Sequence, residues 1–416
     1  NPDFSIWQRN VGLTTDSYGN DGWTMTNNTY FADRWLRISQ TGTGPNTNNP
    51  YEGISGGTHR SYDYLLQRKK FQKSETQVPN HPNYYAAIKG KITYHGGTNS
   101  NEFYRVEQRL PDATSFAGEV MTASFWARSS GGIGDCHLAW IQNLTGTTGA
   151  VAGASGHRGE ATIPDGRGLT ANELIHPITD FALSTTWTNY AYSFFVPELS
   201  GVAGSSGANH FPLDGGITAN HFASLAFYTQ CTSTPNDRIK NIYFNHELHL
   251  ANVKLERGDM VTPFSSINYN EELRKCWYFY QTSYEFGKYP GYNTMLSNRP
   301  DTSGVWFMVP GTAQYNYELP ERMRINPSCT LWSPTGTKNE GFNVDVARDL
   351  SSTTSTKGSL GEVRKTNSNA LSVNCGASTP NGMIIKVPYG SARLDTVVVH
   401  YEADSELNNA LPTQVQ

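Results

Sequence analysis

Charge is what this sequence has least of. Only 16% of its residues are Asp, Glu, Lys or Arg, against roughly 25% in an ordinary soluble protein, so it lacks the Glu, Lys and Arg that surface long helices. Neither sign dominates: 32 basic residues face 36 acidic ones, for a net charge of −4. No single-sign field points to nucleic acid. The one basic cluster, Arg68-Lys69-Lys70, reads as a solvated loop. No stretch approaches ~18 consecutive apolar residues, which excludes a membrane-crossing helix. The opening Asn1-Pro2-Asp3 and its isolated apolar residues carry the expectation of no secretory leader. The five cysteines, at 136, 231, 276, 329 and 375, include no C-x-x-C pair, so a zinc site or thioredoxin-like redox centre has no support. They read as buried free thiols of a reducing compartment, with one long-range disulfide left open. No internal period of ~20–50 residues is present, which argues against a β-helix, propeller or solenoid.

What the chain does have is ring and turn. It carries 23 Tyr, 18 Phe, 9 Trp and 39 Gly, and large rings in alternating runs can fill the space between two sheets. Strand-like runs fall at 30–39, 86–94, 103–110, 120–127, 136–142, 188–196, 222–229, 239–244 and 248–255. Long Gly/Asn/Ser/Thr loops lie between them at 41–58, 129–135, 146–168 and 200–216, and loops of that length are candidates for a contacting surface. Strands without intervening helical periods indicate antiparallel sheets closed into a sandwich.

One helix stands out. Asn268 and Glu271 have capping-box spacing, and Leu273, Trp277, Tyr280 and Tyr284 then form one apolar stripe, predicting a helix from Asn268 to Tyr284. Lys288-Tyr289-Pro290-Gly291-Tyr292 reads as the turn that follows. A second β-rich half runs through 304–309, 328–332, 341–346, 370–373, 383–387 and 396–401. At 416 residues two cores are expected. The expected architecture is all-β: a first sandwich domain over 1–265, a connecting helix and turn over 266–290, a second sandwich over 291–407, and an extended tail over 408–416.

Two motifs suggest chemistry and fail on context. Gly53-Ile54-Ser55-Gly56-Gly57 fits the G-x-S-x-G nucleophile elbow, which needs a strand before it and a helix after it; neither pattern is there. Asn245-His246-Glu247-Leu248-His249 looks like H-E-x-x-H, but the histidines are three apart rather than four. On a strand they point to opposite faces and cannot share a metal. Scattered carboxylates leave a glycosidase pair conceivable, without spacing to identify it.

A set of ordered pieces resembles phage tail-fibre and virion modules. Asn1-Pro2-Asp3-Phe4-Ser5-Ile6-Trp7-Gln8-Arg9 and Phe31-Ala32-Asp33-Arg34-Trp35 are similar to the N-G-D-F-x-I-W-Q-R … Y-T-A-D-R-W signature of those proteins, with Pro2 in place of the usual Gly. Arg105-Val106-Glu107-Gln108-Arg109, Ser124-Phe125-Trp126-Ala127-Arg128 and Leu250 to Gly258, with Thr262-Pro263-Phe264 after it, follow in the required order. The run Asn270 to Tyr280 resembles their Y-x-x-E-L-x-x-C-x-R-Y-Y element, and Leu319 to Arg324 and Tyr401 to Leu407 resemble their closing half.

The resemblance implies jelly rolls of the carbohydrate-binding sort, and with them a virion component, assembled in the bacterial host cytoplasm, that binds a host-surface glycan as part of a tail fibre or tail tip. An architectural capsid or tail decoration subunit is the alternative, and a glycan hydrolase or lyase a weaker third; no enzyme is expected. Other virion proteins are the implied partners, with a homo-oligomer, a trimer ahead of other states. Such modules stack aromatic faces on sugar rings, which nominates the loop residues Tyr51, Tyr62, Tyr64, Tyr84, Tyr85, Tyr289 and Tyr292. No cofactor is required; the resemblance adds a structural Ca²⁺ with Asp3, Asp21 and Asp259 as candidate oxygen ligands.

Overall fold

The computed structural model describes residues 1–8, 29–40, 59–79, 83–95, 102–111, 116–131, 135–143, 173–196, 222–231, 247–265, 268–284, 286, 305–309, 314–333, 338–344, 370–372, 374–386 and 395–406. The chain divides into two compact units, Asn1–Ser5 with Leu13–Asn268 and Leu407–Gln416, and Ile6–Gly12 with Tyr269–Glu406.

In the first unit, strands β1 (Thr29–Tyr30), β2 (Trp35–Gln40), β5 (Glu102–Pro111), β7 (Asp135–Asn143), β8 (Glu173–Ala182) and β10 (Phe222–Cys231) make one sheet, in the order β1-β2-β5-β10-β7-β8. Strands β3 (His59–Lys70), β4 (Tyr84–His95), β6 (Val120–Ser129), β9 (Thr188–Phe195) and β11 (Leu248–Arg257) make the other, in the order β3-β4-β11-β6-β9. All pairs are antiparallel. The eight consecutive strands β4 to β11 therefore divide into β4-β11-β6-β9 and β5-β10-β7-β8, the strand order of a jelly roll. The expected all-β sandwich class is what the molecule has.

Rings fill the space between the sheets. Phe125 of β6 meets Phe227 of β10 edge-on at 4.8 Å, and Trp140 of β7 meets Phe194 of β9 at 5.8 Å. Phe4 lies 4.8 Å from Trp35, whose indole donates to the Asn1 carbonyl at 3.0 Å. The opening residues are thus part of this core, and Val253 N–H also donates to the Pro2 carbonyl at 3.0 Å.

The second unit is built on β20 (Asp395–Asp404). Its C-terminal half pairs with β12 (Tyr280–Thr282) and β15 (Ser328–Trp332), its N-terminal half with β13 (Val305–Val309) and β16 (Glu340–Val344), and β16 continues to β17 (Ala370–Ser372). A three-stranded sheet of β14 (Gln314–Glu318), β19 (Gly382–Lys386) and β18 (Asn374–Thr379) completes it. Leu319, Met323, Leu331, Met383, Ile385, Val399, Tyr401 and Ala403 form its core.

The helix is shorter than its sequence stripe. It spans Tyr269–Trp277, with Glu271 and Glu272 in its first turn and Arg274 and Lys275 in its last, each sign at the end of the dipole it suits. Tyr280 is in strand β12, pairing with Asp404, and Tyr284 lies beyond that strand, so neither continues the helical stripe. The physical reason is local. The run Tyr278-Phe279-Tyr280-Gln281-Thr282 favours a pleated surface, and Gln281 Nε2 donates to the Trp277 carbonyl at 3.0 Å, satisfying a helix-end acceptor. Ile6 packs with Leu273 and Cys276, while Gln8 accepts from the Trp277 indole at 2.9 Å and donates to the Tyr280 carbonyl at 2.9 Å.

The cluster Arg68-Lys69-Lys70 is not a loop: it ends the edge strand β3. Cys136 and Cys276 are buried, and Cys329 and Cys375 are half-buried thiols. The expected strand at 239–244, the G-x-S-x-G segment, His246 and the tail from 408 lie outside the described residues.

Candidate functional site

Strand β6 divides its residues between two environments. Met121, Ala123, Phe125 and Ala127 face the other sheet, and Thr122, Ser124, Trp126 and Arg128 face away from it. The register puts His249 beside Arg128, Ala251 and Asn189 beside Trp126, and His249 beside Ala87. The outer face of the five-stranded sheet thereby collects side chains from β3, β4, β6 and β11. The segments that follow β3 and precede β9 add Phe71, Glu75, Val78 and Trp187.

Arg128 is the hub. Its Nη2 donates to Glu75 Oε1 at 2.8 Å, its Nε donates to His249 Nδ1 at 2.9 Å, and its guanidinium lies 4.9 Å over the Trp187 ring. His249 Nε2 bonds Glu247 Oε2 at 2.8 Å, and Lys69 pairs with the same carboxylate. Because Arg128 can only donate, His249 Nδ1 accepts and Nε2 carries the proton, which makes the ring neutral with one defined tautomer. Burial pushes the His249 pKa below the ordinary histidine value, consistent with that state. The His249 hydrogen bond, helped by Lys69, holds Glu247 down at about 2. Tyr85 is pushed up, first by burial and then by the Glu75 charge.

Beneath these groups lies an aromatic floor. Phe71, Tyr85 and Trp187 approach one another at 4.8 to 5.3 Å, and His249 lies 4.9 Å from Tyr85. Trp126 packs against this cluster and is half-buried, and its register neighbour Asn189 is exposed. The arrangement offers a partly open indole, an exposed asparagine whose amide nitrogen donates to the Phe125 carbonyl at 3.4 Å, and a row of charged groups. Two cations, Lys69 and Arg128, balance two anions, Glu75 and Glu247.

The tyrosines nominated from sequence disperse. Tyr85 is in the floor with 5% exposure, so it shapes the site from below and offers no open ring. Tyr84, half-buried, has the Arg68 guanidinium 4.6 Å over its ring. Tyr62 and Tyr64 are in strand β3 rather than a loop. Tyr51, Tyr289 and Tyr292 lie outside the described residues. Of the calcium candidates, Asp3 accepts from Ser5 N–H at 3.2 Å, Asp259 is exposed and its carbonyl accepts from Ser193 at 3.3 Å, and Asp21 lies outside the described residues. Among the described residues no three His, Cys, Asp or Glu side chains gather as a metal site.

Sequence reasoning named neither Arg128, Trp187 and His249 nor their carboxylates as a site. One signal was available: the alternation Thr122, Ser124, Trp126, Arg128 puts polar and amphipathic residues on one face of a strand whose other face is apolar.

No protein-family model matches the chain, and no curated protein matches it. Solved structures similar to it include a CBM4 carbohydrate-binding module, at 12% identity and a TM-score of 0.22, covering 54% of this chain and 87% of that one. A CBM22-2 xylan-binding domain from Paenibacillus barcinonensis is 10% identical with a TM-score of 0.25, covering 50% and 94%. The enzymatically active domain of bacteriophage CBA120 tailspike protein 4 is 12% identical with a TM-score of 0.22, covering 49% of this chain and 20% of that one. The jelly-roll class assigned above rests on the strand order of the chain itself.

Proposed function

We propose that this chain is a bacteriophage virion component, of a tail fibre or tail tip, whose first unit binds a neutral host-surface glycan on the outer face of its five-stranded sheet. The observation that carries the reading is the pairing of half-buried Trp126 with exposed Asn189 beside the Arg128 network. An indole face suits the apolar side of a sugar ring, and amide, guanidinium and carboxylate groups suit its hydroxyls. The balance of two cations against two anions, with His249 neutral, favours an uncharged ligand over a polyanion. Binding without turnover fits Glu247, which is ionised throughout the neutral range and has no proton to donate.

A glycan array of host-surface polysaccharides tests this. Uncharged glycans are expected to bind, and Trp126→Ala is expected to weaken binding about tenfold, or ~1.4 kcal/mol, with circular dichroism unchanged. An array without hits, or a variant that binds as well as the parent, would overturn the reading.

A second reading, an architectural subunit, draws on a different observation. Val120 and Phe195 are register partners with 43% and 53% exposure, and Met260 and Val261, just after Gly258 N–H donates to the Val120 carbonyl, have 75% and 45%. Exposed apolar groups so placed suit contact with another virion protein or a second copy of the chain. Met260→Glu is expected to lower the oligomeric state seen by light scattering under this reading and to leave it unchanged under the first.

A further inference from the structure

We propose that Cys329 and Cys375 form a reversible dithiol–disulfide site in the second unit, oxidised by small-molecule disulfides of the glutathione class. The two residues come from different sheets. Cys329 is second in β15 and Cys375 second in β18. Each sits opposite a core residue, Cys329 opposite Ala403 and Cys375 opposite Ile385, so both point toward the same apolar cluster and pack against it. The segments are also tied alongside the thiols: Ser378 Oγ donates to the Pro327 carbonyl at 2.7 Å, and Cys329 Sγ contacts the same carbonyl at 3.7 Å.

The thiols interact directly. A hydrogen bond between them pushes the Cys329 thiol up and draws the Cys375 thiol down, so Cys375 is the sulfur that ionises and Cys329 the one that keeps its proton. Both are only half-buried, which leaves a route for a reagent. This asymmetry orders the chemistry. The Cys375 thiolate attacks one sulfur of the oxidant disulfide, forming a mixed disulfide and expelling one small thiolate. Cys329 then loses its proton to solvent and attacks Cys375 Sγ, expelling the second thiolate. The protein gives up two electrons and two protons and gains one S–S bond, and the oxidant becomes two thiols. The bond would close a loop of roughly 45 residues and fasten one sheet of the second unit to the other.

The test uses the full chain equilibrated in glutathione buffers of graded redox poise, then alkylated and mapped by mass spectrometry. The expected result is simultaneous loss of alkylation at Cys329 and Cys375 and one peptide linked between them. The oxidised form is expected to melt about 10 °C higher for the second unit. Cys375→Ala is expected to leave Cys329 alkylatable at every poise, and Cys329→Ala to trap glutathione on Cys375. Continued alkylation of both thiols in the parent chain under oxidising poise, or linkage of either to another cysteine, would overturn the proposal. The parent-chain map stands even where a variant fails to fold.

Discussion

Arg128→Met removes the hub of the outer-face network while keeping most of the aliphatic stem that packs there. Three contributions are lost. The ion pair with Glu75 joins side chains with 22% and 18% exposure and contributes about 1 kcal/mol. The guanidinium over Trp187 contributes about 0.5–1 kcal/mol. The third loss leaves His249 Nδ1 buried without this donor, at about 1–2 kcal/mol. Together they total about 3 kcal/mol, or about 6–12 °C in melting temperature for a unit of this size. Urea unfolding followed by circular dichroism measures it, with the slope of the transition unchanged and its midpoint lowered. A double-mutant cycle with Glu75→Gln is expected to return a coupling of about 1 kcal/mol. A loss below ~1 kcal/mol with no coupling would show that the contacts around Arg128 are surface accidents and that no preorganised site exists.

Acid is expected to weaken the first unit in two stages. His176 and His249 have folded pKa values lowered by burial, His176 to about 4. The unfolded chain therefore takes up those protons first, and stability falls as pH drops from about 6.5 toward 4. Glu247, lowered to about 2, contributes stability that is complete above about 4.5 and lost as pH falls toward 2. His176→Gln is expected to reduce the upper slope and leave the lower one, in urea titrations at graded pH. In the second unit, a Cβ at Gly382 would sit 2.5 Å from the Tyr317 carbonyl oxygen across the β14–β19 pair. Gly382→Ala is expected to cost about 1–3 kcal/mol in thermal unfolding, and an unchanged melting point would mean that the pair separates freely.

The strands that could be read in the sequence include apolar central ones and the strictly alternating edge strand β9. Strands β6, β10 and β11 are central, flanked on both sides, and their runs of Ala, Phe, Leu and Val announce them. Strand β3 was hidden by the charge at its end. Its Arg68, Lys69 and Lys70 look like loop residues, yet charge on an edge strand is how sheets discourage further pairing. Strand β8 was hidden by Pro177, which an edge position tolerates and the irregular register between Leu138 and Ala139 accommodates. The helix was half legible: its start and first turns follow the pattern, but the competition between helix and strand at Tyr280 is settled by pairing with β20, more than a hundred residues later in the chain. The outer-face site was illegible for a similar reason. Glu247 and His249 are two residues apart, but Lys69, Glu75, Arg128 and Trp187 reach them only through strand order, and no local spacing links the set.

The opening eight residues have a consequence for anyone dividing this chain. Asn1 to Ser5 belong to the jelly roll, whereas Ile6 and Gln8 supply an apolar contact and two hydrogen bonds to the helix and β12. A single cut before Tyr269 therefore cannot release a whole second body: the excised piece would lack its own plug and the acceptor for the Trp277 indole. Producing it alone would require joining Ile6–Gly12 back to it, or supplying that segment as a separate peptide.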